Sequence, residues 1–484
     1  MRAETSALLY LLFPFAVFPL NGPWRGFEVR DTLDIYLSAT VVGRLTHSIA
    51  FDTASATTLV RTEMSVDAGD AAAGRGNRIM VNEKRSYTVQ GAMTYAYQEM
   101  ISQSGTSSWK VIKNTEAWDY TVIVGGVSTT RKINAIGDNL SSTYRIFKGI
   151  RDKTLRKGDT WRDTAFELMS AQPVITSITC IGVDTLNHRW ILENKDDITG
   201  RAERQVLDGN GRTLEQSIEG MYVARAKNAF ARSDTTRVSP ASGDSAASAG
   251  PSTAAHPLTE LFSVAADRQA LPGESLAVLI TDSTVSLDES VKELYVRTKA
   301  LWVLRPVPSR CVSAGAAADT SLKQWLLPSV AVQSNHPDII ELSNRLRRNR
   351  DDPCMLIAAF NHYVYSFLKK RNTATFSNAL ETLHAGYGDC GEHSALLAAL
   401  LRASGIPARV VLGLLFVKTN KAYFYHAQVM AYSGQWAFAD PTWDQFPAYG
   451  RFIPLIIDDT GSKALLLARL INRLKIKYVK DAAK

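Results

Sequence analysis

Gly388-Asp389-Cys390-Gly391-Glu392-His393, directly ahead of the apolar run Ala395 to Leu401, is the stretch on which the reading of this chain turns. Asp389 is placed as a helix N-cap, and Glu392, three residues on, completes a capping box. Gly405 and Pro407 stop the helix. Cys390 then sits at about the first helical position, against the positive end of the macrodipole, where a thiol pKa is expected to fall. A nucleophilic cysteine also needs a base and a group that orients that base. Downstream the chain offers His426 in Tyr425-His426-Ala427, then Asp440 in Ala439-Asp440-Pro441-Thr442.

Strand register tests that grouping. Tyr423 to Ala431 alternates as a strand, so Phe424, His426, Gln428 and Met430 share one face. Gln435 to Ala439 is its hairpin partner, with the turn at Gly434. A two-residue loop at Ser433-Gly434 would set His426 opposite Pro441 and turn Asp440 to the other face. A three-residue loop centred on Ser433 sets His426 opposite Asp440. The expectation is therefore a three-residue or bulged turn with Gly434 at positive φ.

Gly388-Asp389-Cys390, the run Leu401-Arg402-Ala403-Ser404-Gly405-Ile406-Pro407-Ala408-Arg409, the His426-Ala427 strand and Trp436 to Thr442 resemble, in order and spacing, the transglutaminase-like superfamily of papain-type enzymes. The likeness is strong from Ser377 to Phe446 and looser from about Leu326 onward. It implies an α+β catalytic domain in which Cys390 is the nucleophile, His426 the general base and acid, and Asp440 the orienting carboxylate. The implied chemistry is acyl transfer or hydrolysis at peptide or carboxamide bonds. The Cys390 backbone N–H is free at the helix start and is assigned to the oxyanion hole, with Asp389 and Glu392 supporting the site as caps. Gln428 stands where many bacterial relatives carry an aromatic residue. His393, one helical turn from Cys390, is read as packing or bonding locally, and His362 and His384 as structural or surface residues. Cys180, Cys311 and Cys354 are read as buried, inert thiols, with one disulfide among them left open. A protein cross-linking transglutaminase is the runner-up. A non-catalytic binding protein with a vestigial papain-like domain is the alternative of another class. No acidic loop has a calcium-ligand pattern, and neither metal nor cofactor is expected.

The rest of the chain suggests a multidomain protein, with a β-rich N-terminal domain ahead of the α+β transglutaminase-like catalytic domain. At 484 residues it has room for about three domains. Residues 1–22, with Arg2 and the apolar run Ala7 to Leu20, read as a signal peptide, an uncleaved N-terminal anchor being the alternative. Residues 23–232 read as a curved antiparallel sheet or half-barrel wrapping a short helix, similar to β-rich regions ahead of transglutaminase-like domains in bacterial exported proteins. Residues 233–257 read as a flexible Ser/Ala/Gly/Pro linker, 258–328 as a small β unit, and 329–484 as the catalytic domain. Helical stripes there are Ile339, Leu342 and Leu346, then Ile357, Phe360, Val364 and Leu368 along Pro353 to Lys370. The formal charge of +8 is concentrated in the tail, where Lys463 to Lys484 carries seven Lys/Arg against one acidic residue. Ala464 to Arg473 reads as a basic amphipathic helix and Leu474 to Val479 as a strand, together a closing element. A membrane-surface or anionic-polymer contact through that segment, or a membrane-surface contact through the N-terminal one, is the sharper alternative. No zinc spacing, P-loop or RNA-binding signature appears, so nucleic acid is excluded as a partner. The expected setting is extracytoplasmic, and the expected partner is a protein, peptide or cell-envelope substrate.

Overall fold

The computed structural model describes residues within 28–480, outside 68–77, 228–262, 314–319, 372–377, 460–466 and a few short loop positions. The signal-peptide and linker expectations fall outside the described residues, as does part of the basic helix expected over Ala464 to Arg473. Of that helix, Leu467, Arg469 and Leu470 lie in 3-10 geometry, before a turn.

The N-terminal region is one antiparallel sheet of fourteen strands, β1 (Glu28–Leu37) to β14 (Tyr222–Ala226). The chain steps outward from β1 to β8 (Val127–Ile133), crosses by helix α1 (Ser141–Arg151) to β9 (Thr160–Glu167), and steps back to β14, which pairs with β1. β8 and β9 are thus the two edges, and edges need covering. Side chains do this by drawing the far ends together. Tyr120, on β7 (Trp118–Val124), donates its hydroxyl to the Leu168 carbonyl (2.6 Å), and its ring meets Phe166 edge-on at 6.5 Å. Arg85, on β4 (Arg78–Tyr87), pairs with Asp138 (2.6 Å), which also accepts the Phe166 N–H (3.1 Å). The sheet therefore curls around α1. Ile146 and Ile150 pack with Ile178, Cys180 and Trp190, while Phe147 joins the larger core. Gly211 has φ of 78°, and a Cβ there would lie 2.3 Å from the Phe147 ring.

The C-terminal region is built around one buried helix. In chain order its helices are α2 (Pro337–Arg347), α3 (Pro353–Phe367), α4 (Ala379–Ala385) and α5 (Cys390–Ala403). Residues 395–401 of α5 are apolar on every side, the mark of a helix enclosed all round, and all are buried. α2, α3 and α4 pack on it from one side, and β21 (Ala408–Val417) and β22 (Ala422–Tyr432) from the other. β22 also pairs with β15 (Ser263–Ala265) and β23 (Trp436–Ala439), and β21 with β24 (Phe452–Ile457). A second sheet has the order β17 (Tyr295–Thr298), β18 (Leu301–Leu304), β16 (Glu274–Ile280), β25 (Leu474–Lys480). Residues before 328 thus pair with strands from both later sheets.

The helix expected to reach Lys370 ends at Phe367, because Leu368 is already extended. Lys369–Lys370 instead form a short strand, β19, parallel to β20 (Tyr387–Gly388). Cys311 and Cys354 are joined in a disulfide, which corrects the reading of both as inert thiols; Cys180 is free and buried. Among the described residues no helix is long and apolar enough to cross a membrane.

Candidate active site

Cys390 opens α5 on the expected cap. Asp389 accepts the Gly391 N–H (2.8 Å), and Glu392 reaches back to the Asp389 N–H (2.9 Å). Gly388 makes the turn feasible, since a Cβ there would lie 2.4 Å from Glu392 Cβ. At the other end Gly405, with φ of 85°, follows the last turn. Because α5 lies against β22, the Cys390 sulfur faces the backbone N–H of Ala427, which donates to it. The residue next to Ala427 is His426.

The expected fall in the Cys390 thiol pKa is not what the surroundings produce. Burial pushes the thiol well up, and the Asp389 carboxylate adds to the shift, with smaller contributions from Glu392 and Asp440. The same capping carboxylates that start the helix offset its dipole at the sulfur. Among these groups only the Ala427 N–H favours the thiolate.

The hairpin after α5 carries His426 and Asp440. The β22–β23 register pairs Val429 with Ala439 and Tyr432 with Trp436. The loop therefore holds three residues, centred on Gly434 (φ of 115°) and not on Ser433. Ser433 and Asp440 consequently shift by two positions relative to the expected alignment. The residue straight across from Asp440 is Gln428, and His426 reaches Asp440 on the diagonal. Because the shift is even, all three side chains keep one face. His426 Nε2 lies 2.9 Å from Asp440 Oδ2, and Gln428 Nε2 donates to the same oxygen at 2.9 Å. Asp440 Oδ1 accepts the N–H groups of Thr442 (3.0 Å) and Trp443 (3.2 Å). Burial disfavours the carboxylate, yet His426, Gln428 and these backbone donors hold its pKa below the ordinary carboxylate range. An ionised Asp440 accepts the proton on Nε2, which leaves Nδ1 of His426 as the basic nitrogen.

Other contacts fix the ring. Gly413 lies opposite His426 on β21, and a Cβ there would come within 2.7 Å of Phe452. Its absence lets Phe452 meet the His426 ring edge-on at 6.4 Å. His393 donates Nδ1–H to the Asp389 carbonyl (2.6 Å) and is fully buried, bracing the cap. His362 and His384 lie at the surface against Asp444 and Asp338 (both 2.8 Å). The two arginines of the Leu401–Arg409 run are scaffolding. Arg402 bonds the Ala408 and Leu327 carbonyls and Asp459, while Arg409 lies over Trp436 and pairs with Glu293. The disulfide stands beside the hairpin tip, where Cys311 Sγ is 3.0 Å from Ser433 Oγ.

Gln428 and Phe452 are the site residues that sequence reading missed as participants. The one signal for Gln428 was its departure from an aromatic; nothing local marked Phe452.

The family model of the transglutaminase-like superfamily matches residues 340–441, a span that includes Cys390, His426 and Asp440. No curated protein matches the chain. Among solved structures, a candidate cysteine protease from Cytophaga hutchinsonii aligns at 16% identity over 44% of this chain and 84% of its own, with a TM-score of 0.29. A candidate protease from Parabacteroides distasonis aligns at 13% identity over 79% of this chain and 63% of its own, with a TM-score of 0.20. TM-scores this low carry no argument about fold or activity. The buried Cys390 helix and its hairpin lie within the matched span, and the chain carries there, at residues 340–441, a domain of the transglutaminase-like superfamily.

Proposed function

We propose that this protein is an exported cysteine-nucleophile enzyme that cleaves or transfers acyl groups at peptide or carboxamide bonds, with Cys390, His426 and Asp440 as its catalytic set. The observation that carries the reading is the His426–Asp440 hydrogen bond on Nε2. It commits one ring nitrogen and leaves the other for the thiol at the start of α5. Nδ1 takes the Cys390 proton as the sulfur attacks the carbonyl carbon, and the same proton passes to the departing amine. The Cys390 N–H, outside the helix's own ladder, stabilises the oxyanion. Water or a second amine, deprotonated by the same nitrogen, then displaces the thioester and returns the thiol. Asp440 holds the tautomer and the charge of the imidazolium. The Cys311–Cys354 disulfide and the apolar segment Ala7 to Leu20 support an extracytoplasmic setting.

The test combines labelling and turnover. Cys390 alkylation across pH should depend on His426, with the wild type reacting faster than His426→Ala. Asp440→Asn should cut kcat by about 10⁴-fold, by loss of the tautomer. Supplying a glutamine peptide with a labelled amine separates release of acid (hydrolase) from amide formation (transferase). Alkylation that is identical with and without His426 would sink the reading in favour of a binding protein.

A further inference from the structure

A strip of cations lies beside the short strand that precedes Cys390. β19 lies parallel to β20, with Lys370 paired to Gly388, two residues ahead of the nucleophile. The Arg371 N–H continues the ladder by donating to the Gly388 carbonyl (2.9 Å). Lys369, Lys370 and Arg371 are all exposed, and none makes an ion pair among the described residues. Asp389 and Glu392, which flank Cys390, are engaged in the capping box.

Aromatic faces hold the strip in place. The Lys370 ammonium lies 4.4 Å from the Tyr365 ring centroid and 5.6 Å from that of Trp443, and the Arg371 guanidinium lies 4.8 Å from that of Tyr387. Trp443 is 50% exposed, although its own N–H is bonded to Asp440. Its loop is pinned to α3 by Asp444, which meets Asn361 (3.3 Å) and His362 (2.8 Å). A cation held on ring faces keeps its full charge. This ledge joins the cysteine side of the site, through β20, to the Asp440 side, through Trp443.

We propose that Lys370 and Arg371, walled by Tyr365 and Trp443, form a substrate subsite that takes a free carboxylate close to the acyl bond attacked by Cys390. The substrates would then be acidic peptides. This assignment rests on the enzymatic reading given above, and names the substrate class of that same site.

The test uses the full chain and two small alkylating agents that differ in charge. Rates of Cys390 modification by iodoacetate and by iodoacetamide are followed on the Cys390 peptide by mass spectrometry, with buried Cys180 as internal reference. The ratio of the two rates should fall about 3- to 10-fold in a Lys370→Gln, Arg371→Gln double variant, and further in Lys370→Glu. In the wild type it should fall toward the variant's value as salt is raised. A reactive Cys390 whose ratio ignores both charge and salt overturns the subsite alone. A Cys390 whose rates toward both reagents are unchanged by His426→Ala overturns the enzymatic reading, and the subsite with it.

Discussion

Both oxygens of Asp440 are occupied, and one of the four donors is the Gln428 amide. That bond stabilises the ionised carboxylate, so its loss raises the pKa of Asp440. Gln428→Met keeps the volume and removes the donor. It should lower kcat about 10- to 100-fold, the worth of a hydrogen bond to a charged group. The acid limb of the kcat/KM profile should also move to higher pH. A drop in activity with an unmoved acid limb would mean that Gln428 serves packing alone. The residue types of the candidate site were legible because each sits in a local pattern: a capped helix start, a strand, an Asp-Pro turn. The state of the thiol was not. Local sequence places Cys390 in the positive field of a helix end, but its pKa follows from burial beneath β22, which the sequence around it does not describe.

At the scale of elements, α5 depends on a turn that leaves no room for a methyl group. Gly388→Ala brings a Cβ to 2.4 Å of Glu392 Cβ and must push Glu392 off the Asp389 N–H. Overpacking of this kind costs about 1–3 kcal/mol. Thermal unfolding should shift down accordingly, and alkylation of Cys390 should slow, since the cap aims the thiol. Unchanged melting and labelling would show that the capping box is dispensable. This cap was readable from residues 389–392, whose bonds are local. The hairpin was readable in parity but not in detail. The odd loop length and glycine at positive φ follow from keeping His426 and Asp440 on one face, whereas the centring on Gly434 is set by the strands it joins. The chain from Pro353 read as one helix to Lys370, and breaks at Leu368 because β20, seventeen residues beyond Lys370 at its start, captures Lys369 and Lys370.

Across the whole molecule, the curled sheet encloses ionisable groups whose titration is linked to folding. Burial raises Glu203 to about 8, Asp31 to about 6 and, in α4, Glu381 to about 7, and lowers His47 to about 4. Glu203 keeps its proton in the folded chain and releases it in the unfolded one. Its contribution is full below its unfolded value and is lost as pH rises through 8. His47 acts in the opposite sense, but only between 4 and 6.5. Glu203 therefore governs the upper window, from about 7 to about 8. Glu203→Gln should flatten the fall in stability there by up to about 1.4 kcal/mol per pH unit, measured by urea unfolding; an unchanged slope would rule Glu203 out. The β-rich and α+β halves were legible from strand alternation and helical stripes, but the strand orders were not, because β1–β14 and β16–β25 join residues far apart in sequence. The second of these joins has a consequence for biogenesis. β16 finds its neighbour β25 only when residues 474–480 exist, and the Arg268 guanidinium waits for the Tyr478 ring, 4.3 Å from its centroid. A nascent chain that has not yet delivered residues 474–480 holds that sheet open, so the making of β25, and not of Cys390, sets when this sheet is complete.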